Sequence, residues 1–235
     1  MTDLDKVNRV VTQFCADVVR EPLSYFSEAD LQSQLFARLI AAFPEMVPTS
    51  VKRGPDDRGK STYRTSRVHR EYGAGGGRRI DLCVFAESDV GALNESSLQA
   101  DGRYLTPEFL IELGTEKTVD TRAHIQNDLN KLEKAKVRGY LIHFERDVTV
   151  ADPGTRRRDL TEKRIDDHLK ADFRLLKVPA NVVHLCLLLR IRRSTTRIWG
   201  KCEFHASGSR DWQKVSLSRV QDRVLAALKQ AEAGR

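Results

Sequence analysis

The sequence predicts an α/β protein with a mixed β-sheet flanked by helices. Two short apolar segments, residues 78–85 and 109–114, have the length of buried strands, and each contains one acidic residue. A strand-helix-strand pattern covers residues 109–144, and its short connections predict a right-handed crossover between parallel strands. Amphipathic helical patterns near both termini indicate helices that pack on the faces of the sheet.

The composition is that of a globular domain with one core. The chain has 235 residues, of which 40% are hydrophobic and 31% are charged. The best candidate for a long apolar run, residues 182–189, is only strand-sized, and the N-terminus lacks the pattern of a secretory signal. We therefore expect a cytoplasmic protein that does not enter a membrane. The four cysteines are dispersed among apolar residues, which predicts buried free thiols.

Two amphipathic helices are predicted in the N-terminal region. Apolar residues at spacings of three and four predict a first helix that ends before Pro22. A second helix is predicted to begin at Ser27, whose hydroxyl can cap it together with Asp30. Glu28 lies three residues before Leu31 on the core-facing side, so it is a candidate site residue. The alternative is an acid that only interacts favourably with the helix dipole.

The region between the second helix and the central strand is predicted to be rich in loops. Residues 47–77 contain two breaks formed by glycine and proline, with one strand expected at residues 63–72. The glycines at 73–77 precede a strand rather than a helix, so they indicate a hairpin turn and not a phosphate-binding loop. Residues 87–106 are predicted to be a polar connecting segment before the strand at 109–114.

The helix of the predicted crossover begins at Asp120 or Thr121. Its core-facing residues are predicted to be Ile125, Leu129 and Leu132, with Asp128 and Lys131 on other faces. Four further elements are expected beyond the strand at residues 139–144. They are a charged helix at 156–170, two antiparallel strands at 182–191 and 197–204, and a C-terminal helix capped by Ser216 or Ser218.

Asp81 and Glu112 are the residues that suggest chemistry. Each lies within an apolar strand, where a carboxylate is costly to desolvate unless a metal ion or a cation neutralises it. Two such acids on adjacent strands would repel each other, and a divalent cation is the usual remedy. The alternatives are a glutamate at a strand end, in solvent or in an ion pair, and an unrelated α/β protein whose embedded acids are structural.

The order of these elements and acids resembles the PD-(D/E)XK nuclease superfamily, which includes restriction endonucleases and DNA-repair nucleases. The resemblance covers residues 27–144 and implies a restriction-endonuclease-like mixed β-sheet flanked by helices, with additional C-terminal strands and a helix. We expect one nuclease-like domain over residues 1–235, with residues 145–235 as a C-terminal elaboration. Dimerisation, as a homodimer, and target recognition are the roles expected of that elaboration.

The resemblance also implies a metal site. Asp81 looks like the metal-binding aspartate of the family, and Glu112 looks like the glutamate of its motif. Glu28 is similar to the helix acid of the family, and the carbonyl of Leu113 would be a further ligand. Oxygen ligands suit Mg²⁺, or Mn²⁺ in its place, better than zinc. We therefore expect Mg²⁺ as the cofactor.

The family pattern has a lysine two residues after the glutamate, and this chain has Gly114 there. Lys117 and Lys131 are the candidates to replace that lysine as catalytic residues. With such a replacement, the expected function is metal-dependent hydrolysis of phosphodiester bonds by an endodeoxyribonuclease of restriction or defence type. Without it, the chain would be a catalytically inactive relative that binds nucleic acid or a protein.

The distribution of charge favours a nucleic acid as the partner, and the resemblance implies DNA. The formal net charge is +7, and the arginines cluster along the chain, as in a surface that contacts phosphates through bidentate hydrogen bonds. The alternative is a surface that only keeps the protein in solution. The candidate nucleic-acid-binding residues are Arg64, Arg67, Arg70, Arg78 and Arg79.

Overall fold

The computed structural model describes residues 1–52, 60–75, 78–91, 105–115, 121–150, 175–193, 198–206 and 212–233. Within these ranges the helices are α1 (Asp3–Arg20), α2 (Glu28–Ala42), α3 (Glu87–Gly91), α4 (Thr121–Ala135) and α5 (Val220–Ala233). The strands are β1 (Met46–Lys52), β2 (Lys60–Ser66), β3 (Val68–Gly75), β4 (Arg78–Val84), β5 (Phe109–Gly114), β6 (Arg138–Val150), β7 (Val182–Arg193), β8 (Ile198–Ala206) and β9 (Gln213–Val215). A short 3-10 helix, Leu217–Arg219, precedes α5.

Seven of these strands form one mixed sheet in the order β3-β4-β5-β6-β7-β8-β9. The β5–β6 and β6–β7 pairs are parallel, and the other neighbours are antiparallel. Because α4 connects β5 to its parallel neighbour β6, the predicted strand-helix-strand unit is confirmed. β7, β8 and β9 come from the region after residue 144 and continue the same sheet.

Helices cover both faces of the sheet, which confirms the predicted α/β class. Buried side chains of α1, α2 and α5 form one core cluster with one face of the sheet. Buried side chains of α4 form a second cluster with the other face. Successive residues of β5 point to opposite faces, so Ile111 belongs to the first cluster and Leu110 to the second.

The predicted start of α2 at Ser27 is confirmed. The Ser27 hydroxyl accepts a hydrogen bond from the Asp30 amide, and the Asp30 carboxylate accepts one from the Ser27 amide. Such a box satisfies amide groups that a helix start leaves without partners. Thr2 and Asp5 form the same capping box at α1, which was not predicted.

The prediction for residues 47–77 was wrong, because this region contains three strands. β1 and β2 pair as a separate antiparallel two-stranded sheet. The single strand expected at residues 63–72 is divided at Arg67, which lies between β2 and β3 in the chain and has a buried side chain. The helix expected at residues 156–170 lies outside the described residues.

Two smaller expectations concern the cysteines and the membrane. All four cysteines are buried free thiols, as predicted. In the part of the chain that the structure describes, none of the helices is long and apolar enough to cross a lipid bilayer.

Candidate active site

Asp81 and Glu112 each lie one residue beyond the last paired residues of the neighbouring strands β4 and β5. β4 and β5 pair with Leu82 opposite Ile111, and one step further in this register Asp81 is opposite Glu112. Residues that are directly opposite in a strand pair project from the same face of the sheet. Glu112 alternates in phase with Leu110, which packs in the cluster containing α4, so the two acids project toward the α4 side.

The Asp81 carboxylate is bound to the backbone of β5. The Leu113 amide donates a hydrogen bond to Asp81 Oδ2 at 2.7 Å. Burial raises the pKa of Asp81 to about 6, although the hydrogen bond from Leu113 opposes the change. The negative charges of Glu28 and Asp128 raise this pKa further, whereas the positive charge of Lys131 lowers it. Asp81 therefore interacts electrostatically with four ionisable groups, which are Glu28, Asp128, Lys131 and Glu112.

Glu112 is almost completely buried and contacts a lysine. Its side chain is 3% exposed, and Lys131 Nζ lies 3.0 Å from Glu112 Oε1. Burial raises the pKa of Glu112 to about 9, and the negative charges of Asp81 and Asp128 act in the same direction. Lys131 opposes this change through its charge and its hydrogen bond, without reversing it. Burial and the neighbouring acids thus favour a proton on Glu112 more strongly than Lys131 opposes it.

Lys131 lies between two acids. Lys131 Nζ is 2.7 Å from Asp128 Oδ1 on the preceding turn of α4, in addition to its contact with Glu112. Burial lowers the pKa of Lys131, but the charges and hydrogen bonds of the two acids outweigh this and raise it above its ordinary value. His124 Nε2 is 3.3 Å from the other carboxylate oxygen of Asp128. Lys131 is therefore oriented toward the acids on the sheet.

Asp128 was not among the predicted site residues. It was predicted on an outer face of α4, but this residue is only 3% exposed. The signal was present in the spacing, because Asp128 lies three residues after Ile125 and four before Leu132, which places it on the inner stripe. Lys131 was also predicted on another face, and it is instead partly buried against Glu112.

The first turns of α2 reach the Asp81 end of β4. Glu28 is half-buried there, and its charge acts on Asp81. Gln32, one turn later, donates hydrogen bonds to the Asp81 backbone carbonyl at 3.2 Å and to Glu71 Oε1 at 3.0 Å. Its amide oxygen accepts a hydrogen bond from Arg70. α2 therefore adds both an acid and a bound arginine to the surroundings of Asp81.

No lysine can project from the position that the family pattern requires. A Cβ atom at Gly114 would lie 2.4 Å from His143 Nδ1, so the imidazole of the adjacent strand fills that space. Of the two candidate lysines, Lys131 contacts Glu112 directly. Lys117 lies outside the described residues.

The donors available to a metal ion are carboxylate and carbonyl oxygens. Within the described ranges, no group of three or more His, Cys, Asp or Glu side chains is arranged to hold a metal ion. Mg²⁺ retains several waters and needs only one or two carboxylates, a number that Asp81 and Glu112 supply. The amide and carbonyl of a strand residue lie on the same edge, so the carbonyl of Leu113 also faces β4. The donor set therefore fits Mg²⁺ chemically.

The predicted nucleic-acid-binding arginines differ in their exposure. Arg64, Arg70 and Arg79 are exposed. The side chain of Arg78 lies outside the described part of the structure. Arg67 is 2% exposed, so the structure places it in the interior and not on a surface that could contact DNA. The arginine cluster in the sequence is therefore not one continuous surface.

The guanidinium of Arg67 is bound within the protein. It forms ion pairs with Asp3 and, at 3.9 Å, with Glu108. Its Nε donates a hydrogen bond to the Phe85 carbonyl at 2.9 Å, and its guanidinium carbon lies 4.9 Å from the centre of the Phe43 ring. Arg67 therefore connects α1 and the end of α2 to the segment after β4.

Comparison with known proteins gave no relatives. No family model matches the chain, and neither the curated proteins nor the solved structures include a significant match to it. The function is therefore inferred from the geometry of the site.

Proposed function

We propose that this chain is a Mg²⁺-dependent nuclease that hydrolyses phosphodiester bonds in DNA, with the restriction-endonuclease-like fold of the PD-(D/E)XK superfamily. The supporting observation is the 3.0 Å contact between Lys131 Nζ and Glu112 Oε1, with Asp81 opposite Glu112. Two acids and one lysine on one face of a mixed sheet are the groups that such a nuclease requires. They are also what a site for phosphoryl chemistry needs, namely ligands for a metal and a cation for the phosphate.

Lys131 takes the role of the family lysine from a different element. Its contacts with Glu112 and Asp128 keep its ammonium group charged and directed at the acids. An ammonium group has three hydrogen-bond donors, so one can reach a phosphate oxygen or a water while others remain on the carboxylates. A positive charge fixed beside the reacting phosphate stabilises the negative charge that develops there. Asp128 acts as the positioning residue for Lys131.

The acids supply the metal ligands. Asp81 and Glu112, with the carbonyl of Leu113, would hold the ion, and Glu28 lies near enough to affect Asp81. When bound, Mg²⁺ would lower the pKa of a coordinated water and neutralise charge on the phosphate. The pKa of Glu112, raised to about 9, means that metal binding at neutral pH displaces a proton from this residue, whereas Asp81, with a pKa of about 6, is already mostly ionised.

DNA is the substrate that the charge distribution supports. The net charge of +7 favours association with a polyanion, and Arg64, Arg70 and Arg79 expose guanidinium groups. Arg70 also contacts Gln32, which is hydrogen-bonded to the backbone of Asp81. A phosphate bound by Arg70 would therefore lie close to the proposed metal site.

A second candidate is a binding protein without catalytic activity. The position of the family lysine is Gly114, and the described cation at the site, Lys131, is already paired with two acids. A lysine that never leaves these acids would neutralise the site instead of acting on a substrate. This candidate predicts DNA or protein binding with no metal-dependent cleavage.

Nicking of supercoiled plasmid distinguishes the two candidates. We expect the wild-type chain to nick plasmid with Mg²⁺ or Mn²⁺ and not with EDTA. We expect Asp81→Asn, Glu112→Gln and Lys131→Met each to reduce the rate by at least about a hundredfold. Glu133→Gln and Lys134→Met, at exposed positions of the same helix α4, are matched controls that should retain activity.

Calorimetric titration with Mn²⁺ provides the second measurement. Asp81→Asn and Glu112→Gln should lose the Mn²⁺ binding that wild type shows, whereas Lys131→Met should retain it. A wild-type chain that binds DNA without nicking it would support the inactive binding protein. Nicking that survives both acid substitutions would show that the site is elsewhere or that the activity is a contaminant.

A further inference from the structure

Phe26 is the most exposed aromatic residue among the described positions for which exposure is known. Its relative exposure is 85%, whereas Phe14, Phe43, Phe109 and Phe144 are at most 3% exposed. A phenyl ring in water forgoes the hydrophobic stabilisation that burial would give it. Because single exposed apolar residues are common on protein surfaces, the exposure of Phe26 points to a ligand only together with the residues around it.

The position of Phe26 in the chain does not explain its exposure. Phe26 immediately precedes the N-cap residue of α2, Ser27. A hydrophobic residue at this position often packs against the fourth residue of the helix, which here is Leu31. Leu31 is buried in the core while Phe26 is exposed, so that contact cannot bury the ring. The ring therefore contributes little to the folded state.

The backbone that presents Phe26 is held in place. The Phe26 amide donates a hydrogen bond to Asp30 Oδ2 at 2.9 Å. Arg146 of β6 donates hydrogen bonds to the carbonyls of Pro22 and Tyr25, the first at 3.1 Å. The ring of Tyr25 is buried and packs edge-on against Phe14. Because these hydrogen bonds already restrain the loop, its backbone loses little conformational entropy when Phe26 binds a ligand.

Phe26 is connected to the candidate site through the start of α2. It is two residues before Glu28, and two Cα–Cα steps separate these residues by at most about 8 Å. Glu28 in turn acts electrostatically on Asp81. Arg70, which is exposed, contacts Gln32 on the next turn of the same helix. The segment that carries the exposed ring thus also carries an acid that acts on Asp81 and a glutamine that binds Arg70.

We propose that Phe26 stacks on a base of the DNA strand whose phosphate lies at Asp81 and Glu112. This inference rests on the proposed function, because it takes DNA as the ligand of the site. Aromatic rings bind any base through its π-face, and arginine binds the adjacent phosphates. A base within an intact duplex is already stacked on its neighbours. The chain therefore prefers DNA with an unpaired base next to the cleaved bond over fully paired duplex.

Binding of fluorescein-labelled oligonucleotides, measured by fluorescence anisotropy with EDTA, tests this proposal without any hydrolysis. The probes are a single strand, a duplex, and the same duplex with one unpaired base. We expect Phe26→Ala to weaken binding of the single strand and of the interrupted duplex by about tenfold, with a smaller effect on the intact duplex. Leu225→Ala, which removes an exposed apolar side chain of α5, is the control and should bind as wild type does.

Phe26→Trp provides the direct signal of stacking. It should keep the affinity of wild type, and its added tryptophan fluorescence should be quenched by the single strand beyond the change seen for Trp199 and Trp212 alone. Equal affinities of Phe26→Ala and wild type for the single strand would overturn the proposal, as would the absence of DNA binding. A Phe26→Ala chain that changes from dimer to monomer would also overturn it, because the ring would then cover an interface between two copies.

The two proposals fail separately. Loss of oligonucleotide binding in Phe26→Ala, together with a wild-type chain that never nicks plasmid, would support base stacking and refute the nuclease. Metal-dependent nicking that requires Asp81 and Glu112 but is unchanged in Phe26→Ala on interrupted duplexes would support the nuclease and refute base stacking.

Discussion

The imidazole of His143 lies where a side chain at position 114 would begin. A Cβ atom on Gly114 would be 2.4 Å from His143 Nδ1, and Gly114 and His143 are direct partners in the parallel β5–β6 pair. His143 lies in β6 and is fully buried, so its side chain cannot move aside without disturbing the packing of the sheet. The lysine of the proposed site must therefore come from another element, and Lys131 of α4 meets that need.

The first prediction concerns this contact. Gly114→Ala should lower the free energy of unfolding by about 1–3 kcal/mol, because the added methyl group overlaps the imidazole. Urea unfolding followed by circular dichroism measures the change. The same substitution should cost clearly less in a His143→Ala background, where the space is open. Equal costs in the two backgrounds would contradict the contact.

The second prediction concerns the pH dependence of stability. Asp81 has an ordinary pKa of 3.8 and a folded-state pKa of about 6, and Glu112 changes from 4.5 to about 9. At Asp81 and Glu112 the folded protein thus binds more protons than the unfolded chain between about pH 4 and pH 9, so the contribution of these two acids to stability falls as pH rises through this range. Metal-free protein should lose up to about 3 kcal/mol through Asp81 alone, since one pKa unit corresponds to about 1.4 kcal/mol.

Urea unfolding in EDTA from pH 5 to pH 8 tests this dependence. Asp81→Asn should reduce the loss of stability with rising pH, and Mn²⁺ should restore stability to wild type but not to this variant. Glu133→Gln, which removes an exposed carboxylate, should leave the wild-type dependence unchanged. An Asp81→Asn chain whose stability depends on pH as steeply as that of wild type would show that Asp81 is not buried as described.

The third prediction concerns Asp128. Asp128→Asn should slow plasmid nicking and should also lower the pKa of Lys131 toward its ordinary value, because one of the two acids that raise it becomes neutral. Carbon NMR of reductively methylated lysines reports that pKa directly. Lys131→Arg should recover activity only in part, because a guanidinium has a different shape from an ammonium. An unchanged pKa in Asp128→Asn would remove Asp128 from its positioning role.

The fourth prediction separates buried from exposed arginines. Arg67→Ala should destabilise the fold by about 3–5 kcal/mol, because it leaves Asp3 and the Phe85 carbonyl without their partner. Arg64→Ala should leave stability unchanged and weaken DNA binding, with a smaller dependence of affinity on salt. Thermal unfolding and anisotropy titrations at several salt concentrations measure both effects. A stable Arg67→Ala chain with reduced DNA affinity would reverse this assignment.

The sequence was sufficient where the information is local. The cap at Ser27 and the apolar stripe of α4 depend on residues three or four positions apart, which is the spacing of contacts within a helix. β4 and β5 were recognisable because both faces are buried and the runs are apolar. β1 and β2 were missed because they form a separate hairpin rich in serine, threonine and lysine, which has no such run.

The site was only partly predictable for the same reason. Asp81 and Glu112 were identified because an acid in a buried strand is unusual. The burial of Asp128 depends on Lys131 and Glu112, and that of Arg67 depends on Asp3, which is 64 residues away. Charged residues become buried only when such partners meet in three dimensions, so composition and periodicity could not distinguish Arg67 from Arg64.

In the proposed site the lysine comes from α4 and not from β5. This arrangement links four positions of the chain, namely Gly114, Asp128, Lys131 and His143. A relative with lysine at position 114 would need a small residue in place of His143, and it would no longer need an acid at 128 or a lysine at 131. A relative with glycine at 114 would keep the other three residues. Substitutions at these positions should therefore occur together during evolution. The lysine would then move between positions 114 and 131 of the sequence, while its ammonium group stays at the same place in the structure.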